Sequence, residues 1–163
     1  PAVATSAVTG ATMVLPQTLT LNLQSGIAED TLLFGSIHKA DWADAQIVIP
    51  LNAVGPVPNT GSAFSNTTAY SIGLGRKLTD DLSVLGSYSM EDGGGATSTS
   101  SFTMNDGHQT LGLAARYTYE NMTITGGYSY AKVGDVTVTS SGLTSTYTDN
   151  KVTGIGLKVG FSF

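Results

Sequence analysis

The chain has no cysteine, which excludes a disulfide framework and any cysteine-ligated metal site. Charge is also scarce: Asp, Glu, Lys and Arg make up 12% of the 163 residues, about half the share usual in a soluble domain. A net charge of −5 argues against nucleic acid as a partner. No apolar run reaches the roughly 18 residues that a membrane-spanning helix needs. That absence does not test a β-barrel, whose lipid face uses only every second residue. The residues after Pro1 include neither a basic segment nor a compact apolar one, so no signal peptide is legible. A mature form, a fragment or the ordered part of something longer is expected.

What fills the space left by charge is Gly, Ser, Thr and Asn, with 20 glycines and an apolar content of 40%. That mix is too apolar for a disordered chain and suits strands with small residues on one face. The clearest segment is the last. Ile155, Leu157, Val159, Phe161 and Phe163 alternate with Gly154, Gly156, Lys158, Gly160 and Ser162, which is the period of a strand with one apolar face. Upstream, Leu19, Leu21 and Leu23 alternate with Thr20, Asn22 and Gln24. Tyr70, Ile72 and Leu74 alternate with Ser71, Gly73 and Gly75. The patterns around Leu111–Tyr119 and Met122–Tyr130 repeat the theme. Strands are expected over about 16–26, 31–41, 67–78, 82–91, 108–119, 122–133 and 151–163, each close to the 9–11 residues that cross a bilayer as a tilted strand. Residues 1–15 read as the end of a loop within a single domain.

The connections sort by length. Ile27–Asp30, Leu78–Asp81 and Glu120–Asn121 are short and carry Asp or Asn, which satisfy local backbone groups. Trp42–Asn66, Glu91–Gly107 and Gly134–Asn150 are long and rich in Gly, Ser, Thr and Asn. Short and long alternate, as periplasmic turns and extracellular loops do in outer-membrane barrels. The fold class expected is therefore all-β, an antiparallel transmembrane β-barrel with about 7–8 strands in this chain. An open edge in hydrocarbon would leave a row of peptide groups unpaired, at several kcal/mol each. Bacterial single-chain barrels have an even strand number. Either residues 1–15 supply an eighth strand or the strands belong to a larger barrel, and the larger barrel is favoured. A soluble sandwich is the competing architecture.

The terminal strand resembles those that outer-membrane barrels present to their assembly machinery, which makes that machinery an expected partner. More specifically, Leu15–Gln24, a short turn and Leu33–Trp42 resemble the FadL/TodX family of outer-membrane transporters for long-chain fatty acids and aromatic hydrocarbons. Ser71–Ser83 is similar to that family's next hairpin, and Gly154–Phe163 to its last strand. The resemblance implies the C-terminal half of a barrel of about 14 strands. It implies localisation to the bacterial outer membrane, with lipid, lipopolysaccharide and a hydrophobic small molecule as partners. The family's hatch and sideways-opening strand have no counterpart among these residues.

No catalytic constellation is legible: G-x-S-x-G, H-E-x-x-H and a phosphate loop are all missing. Neither enzyme activity nor a cofactor or metal is expected. Asp80 and Asp81 read as a turn pair, Gly93–Gly95 as a loop tip, and Glu91, Asp92, Asp135 and Asp149 as solvated loop charge. The alternation places Phe34, His38, Leu85, Arg116 and Lys158 on the inward face as candidate substrate contacts, with the two cations able to meet a carboxylate or a barrel-wall acid. It places Tyr88, Tyr117, Tyr119, Tyr128, Tyr130, Phe161 and Phe163 on the apolar face as membrane-interface aromatics, mostly near strand ends. The function expected is passive uptake of hydrophobic compounds, with a structural or adhesive barrel as the alternative.

Overall fold

Alternating side chains with β-branched and aromatic residues on one face make extended backbone the favoured state, and each short turn folds one strand back on the last. The computed structural model describes residues 7–8, 12–49, 51–52, 60–100, 102, 106–140 and 142–162. Seven strands form one antiparallel sheet. We label them β1 (Thr18–Ala28), β2 (Thr31–Ala40), β3 (Thr67–Lys77), β4 (Leu82–Glu91), β5 (His108–Tyr119), β6 (Met122–Val133) and β7 (Lys151–Phe161). Spatial order follows chain order from β1 to β7 without a crossover, so the sheet is an up-and-down meander. β1 and β7 each pair on one side only, and the wall is open. Phe163 lies outside the described residues.

The strand ends have local causes. β1 begins at Thr18, two residues beyond the Pro16 expected to open it, because proline has no N–H to give the ladder. At its other end β1 runs on to Ala28 through a bulge between Gly26 and Ala28, which reduces the turn to Glu29–Asp30. Asp30 takes a positive φ of 56° there, a conformation that Asp tolerates better than most residues. Thr79 closes the β3–β4 turn: its Oγ1 accepts from the amides of Asp81 and Leu82 at 3.3 and 3.1 Å.

The long connections build a second layer at the other end of the wall. Val136–Ser140 and Leu143–Tyr147 form an antiparallel ribbon, and Thr97–Ser98 joins it in parallel. Thr12–Met13 pairs with Ile47–Val48, and Ala7–Val8 with Leu51–Asn52. Among the described residues, the buried apolar side chains are Ala40, Ala45, Val136 and Val138. Apart from Ala40 at the end of β2, they belong to this loop layer.

The wall itself is turned inside out relative to a soluble sheet. Ile155 is 86% exposed, Leu157 75% and Leu23 66%. These residues lie on one continuous face, with Leu21 opposite Ile37, Leu33 opposite Leu74, and Tyr128 between Leu113 and Ile155. A bare apolar face of this extent marks an interaction surface, and no second sheet covers it among the described residues.

Candidate functional site

The opposite face carries the cavities and the small side chains. Its register rows are read across adjacent strands. One runs Asn22, Ser36, Ser71, Ser89, Thr110, and Ser36 Oγ meets Ser71 Oγ at 2.8 Å. The next runs Phe34, Gly73, Ser87, Gly112, Ser129, Gly154. In this row each larger residue leans over the glycine of the following strand. The Phe34 ring covers Gly73, Ser87 Oγ covers Gly112, and Ser129 Oγ covers Gly154. The glycines are what let these side chains lie flat, so the row leaves a smooth inner surface.

All five expected inward residues fall on this face, but they do not form one cluster. His38 stands near the loop end, where its Nδ1 lies 2.7 Å from Thr20 Oγ1. Phe34 lies near mid-wall. Leu85 sits one row nearer the turns, between Gly75 and Ala114, and with Leu32 it lines a cavity of about 690 Å³ that extends to Arg116. Arg116 and Lys158 share a row through Thr125, which sets their backbones roughly 10 Å apart. They line a smaller hollow of about 290 Å³. Neither makes an ion pair with a described residue.

The expected interface aromatics other than Phe163 occupy the apolar face. Tyr117, Tyr119 and Phe161 sit at the short-turn end, with Phe161 opposite Met122. Tyr88 and Tyr130 flank Leu111 toward the loop end. Tyr128 lies in the middle of β6. Tyr70, opposite Ile37 and Met90, belongs to the same face, as its alternation with Ser71 implies, although it is not counted among the expected interface aromatics.

Sequence reasoning also missed the mouth. A cavity of about 540 Å³ lies where the three long connections meet, lined by Trp42, Phe64, Phe102, Glu91, Asp92 and Thr137 among others. Trp42 and Phe64 contact edge to face, with centroids 5.7 Å apart at 68°. Gln46 fixes them from behind. Its Nε2 donates to the carbonyls of Trp42 and Phe64 at 3.0 and 2.8 Å, and its Oε1 accepts from the Phe64 amide at 3.0 Å. Asn66 Oδ1 accepts from the Ala43 amide at 2.8 Å. On the far side, Gly95 and Gly107 take positive φ values of 116° and 71°, and the Gly95 amide donates to Asp106 Oδ1 at 2.8 Å. Glu91 lies 3.9 Å from His108 Nδ1. No lysine or arginine lines this cavity. The chain's one tryptophan, at the start of a long loop, was the available signal, but only tertiary pairing brings Phe64 and Phe102 to it.

No protein-family model and no curated protein sequence matches the chain. Solved structures do. A FadL homologue of Pseudomonas aeruginosa superposes on 88% of the chain with a TM-score of 0.65 at 14% identity. The fold is of the FadL type. The toluene transporter TodX of Pseudomonas putida matches 69% of the chain at 20% identity with a TM-score of 0.48. The chain spans about a third of the FadL homologue and 28% of TodX. The open FadL-type wall is what a part of such a barrel presents, with β1 and β7 as the strands at which the sheet stops.

Proposed function

We propose that this chain forms part of the wall of an outer-membrane conduit through which hydrophobic small molecules diffuse inward without energy input or chemistry. Long-chain fatty acids and aromatic hydrocarbons are the classes it would take. The observation that carries this reading is the inversion of the wall. Large apolar residues stand bare on one face, while the opposite face carries Gly, Ser, Thr and scattered Leu and Phe, with Arg116 and Lys158 toward the turns. The first face suits lipid; the second suits a passage with low friction and apolar patches.

The test is to place bulk on each face in turn. Ser87→Trp narrows the cavity face of β4, whereas Leu113→Trp on β5 adds a ring to the apolar face. In cells taking up a labelled apolar compound, the first variant is expected to cut uptake severalfold and the second to leave it near wild type. Leu113→Arg should instead weaken folding into vesicles by about 2–4 kcal/mol, as a cation on the lipid face does at mid-bilayer. Equal uptake by both Trp variants would remove the passage from the account, and a fully stable Leu113→Arg would remove the membrane.

A structural or adhesive barrel is the second reading. The ordered ribbon favours it, since Val136 and Val138 are buried and Thr139 Oγ1 meets Thr144 Oγ1 at 3.1 Å. Replacing residues 134–150 would then abolish partner binding with uptake unchanged.

A further inference from the structure

On the apolar face, the row nearest the loops runs Met90, Gln109, Lys132, Lys151 across β4 to β7. Lys132 and Lys151 are register partners. Directly opposed side chains on one face have their Cβ atoms about 4.5–5.5 Å apart, and like charges there are destabilising. Both lysines are exposed, and neither is ion-paired with a described residue. Glu91, Asp106 and Asp135 line one hollow with Gln109 and Lys132, but none of them is ion-paired with a lysine of this row; Asp135 Oδ1 accepts from the Asp149 amide and Asp106 Oδ1 from the Gly95 amide. Gln109 beside them is exposed and adds an amide donor. One row down stand Leu111, Tyr130 and Thr153, and below those Leu113, Tyr128 and Ile155. At the other end of the same three strands the outward residues are Tyr119, Met122 and Phe161, which carry no charge.

A cationic row directly above an aromatic and aliphatic one matches the border between phosphate and acyl chain in a lipid. Two adjacent cations call for a compact, multiply charged anion, which lowers their mutual repulsion as it binds. We infer that Gln109, Lys132 and Lys151 form a site for the phosphorylated headgroup of an outer-leaflet glycolipid, with its acyl chains lying down the Leu111–Tyr128 surface. This inference rests on the lipid-facing reading of that face and adds a specific site to it.

The test uses the full chain purified from outer membranes in mild detergent. Retained lipid is measured by native mass spectrometry for wild type, K132Q/K151Q and K39Q, the last removing a lone cation on the same face of β2. Lipid A bearing two phosphates, its dephosphorylated form and inorganic phosphate are offered separately. The expected result is retention of the diphosphorylated lipid that falls at least about tenfold in K132Q/K151Q, since each lysine near an anionic surface strengthens binding by about fivefold. K39Q and the dephosphorylated lipid control for general charge and for chain packing: K39Q should stay within about twofold of wild type, and dephosphorylated lipid should bind both proteins weakly. Competition by millimolar inorganic phosphate alone would reassign the pair to a free anion and overturn the lipid assignment. Equal retention by wild type and K132Q/K151Q in protein that inserts into vesicles would overturn the site and leave the barrel standing. A chain that stays in water and inserts into no vesicle would overturn both.

Discussion

The Phe34 ring lies across Gly73, its register partner on β3, in the space that a Cβ on residue 73 would occupy. The pair therefore works as a lock of one bulky residue and one absent side chain. Gly73→Val is expected to push the ring off the wall and to cost about 1–3 kcal/mol, as overpacking usually does. Urea unfolding from vesicles measures it. Adding Phe34→Ala to Gly73→Val should recover much of the loss, because neighbours in contact are not additive.

Glu120 turns β5 into β6 with a positive φ of 51°. A Cβ is strained there, and glycine has none. Glu120→Gly should raise stability, by about 0.5–1 kcal/mol if the gain in strain relief exceeds the entropy added to the unfolded chain. A drop in the unfolding midpoint would mean that the carboxylate has a role the turn geometry does not reveal.

In the β3–β4 turn, Lys77 Nζ donates to Asp80 Oδ1 at 2.7 Å. That hydrogen bond, and then the lysine's charge, hold the Asp80 carboxyl below its ordinary value of 3.8. A carboxyl whose pKa is lowered on folding contributes above its unfolded pKa and loses that contribution as pH falls through the folded one. The effect is thus complete at neutral pH and disappears only below 3.8. The pair is exposed, so its contribution is small and weakened by salt. A carboxyl-resolved NMR titration should place Asp80 below 3.8 at low salt and nearer to it at high salt.

At the mouth, Glu91 and Asp92 face the space beside Trp42 and Phe64 with no cation in the lining. A carboxylate ligand would meet like charge there, which costs affinity. Neutral aromatic compounds are therefore expected to bind this cavity more tightly than fatty-acid anions of similar size, measured by quenching of Trp42. Glu91→Gln should narrow the difference, and Phe64→Ala should weaken the neutral ligand.

The wall was legible from residue order because a strand between two unlike environments must alternate. Leu157 and Lys158 cannot trade places without reversing the faces of β7, so period two fixed strand, face and inward set together. The meander followed from the turns, whose Asp and Asn residues announce tight reversals. The mouth was not legible, since Phe64 touches Trp42 only once the loop has folded, with Gln46 bonded to both of its arms. The leaning of Phe34 over Gly73 was hidden for a related reason: alternation tells which face a residue takes, not which neighbour it covers. The placement of Tyr128 amid Leu113 and Ile155 likewise depends on the pairing of β5, β6 and β7, which no single strand records.

The chain has one indole, and it stands at the mouth against Phe64. Its emission consequently reports on the loop layer and is blind to the ladders between β3 and β7. A thermal scan followed by fluorescence alone would record the melting of the vestibule and could register a protein as denatured while its strands remain paired, so that amide-sensitive spectroscopy is the proper gauge of the wall.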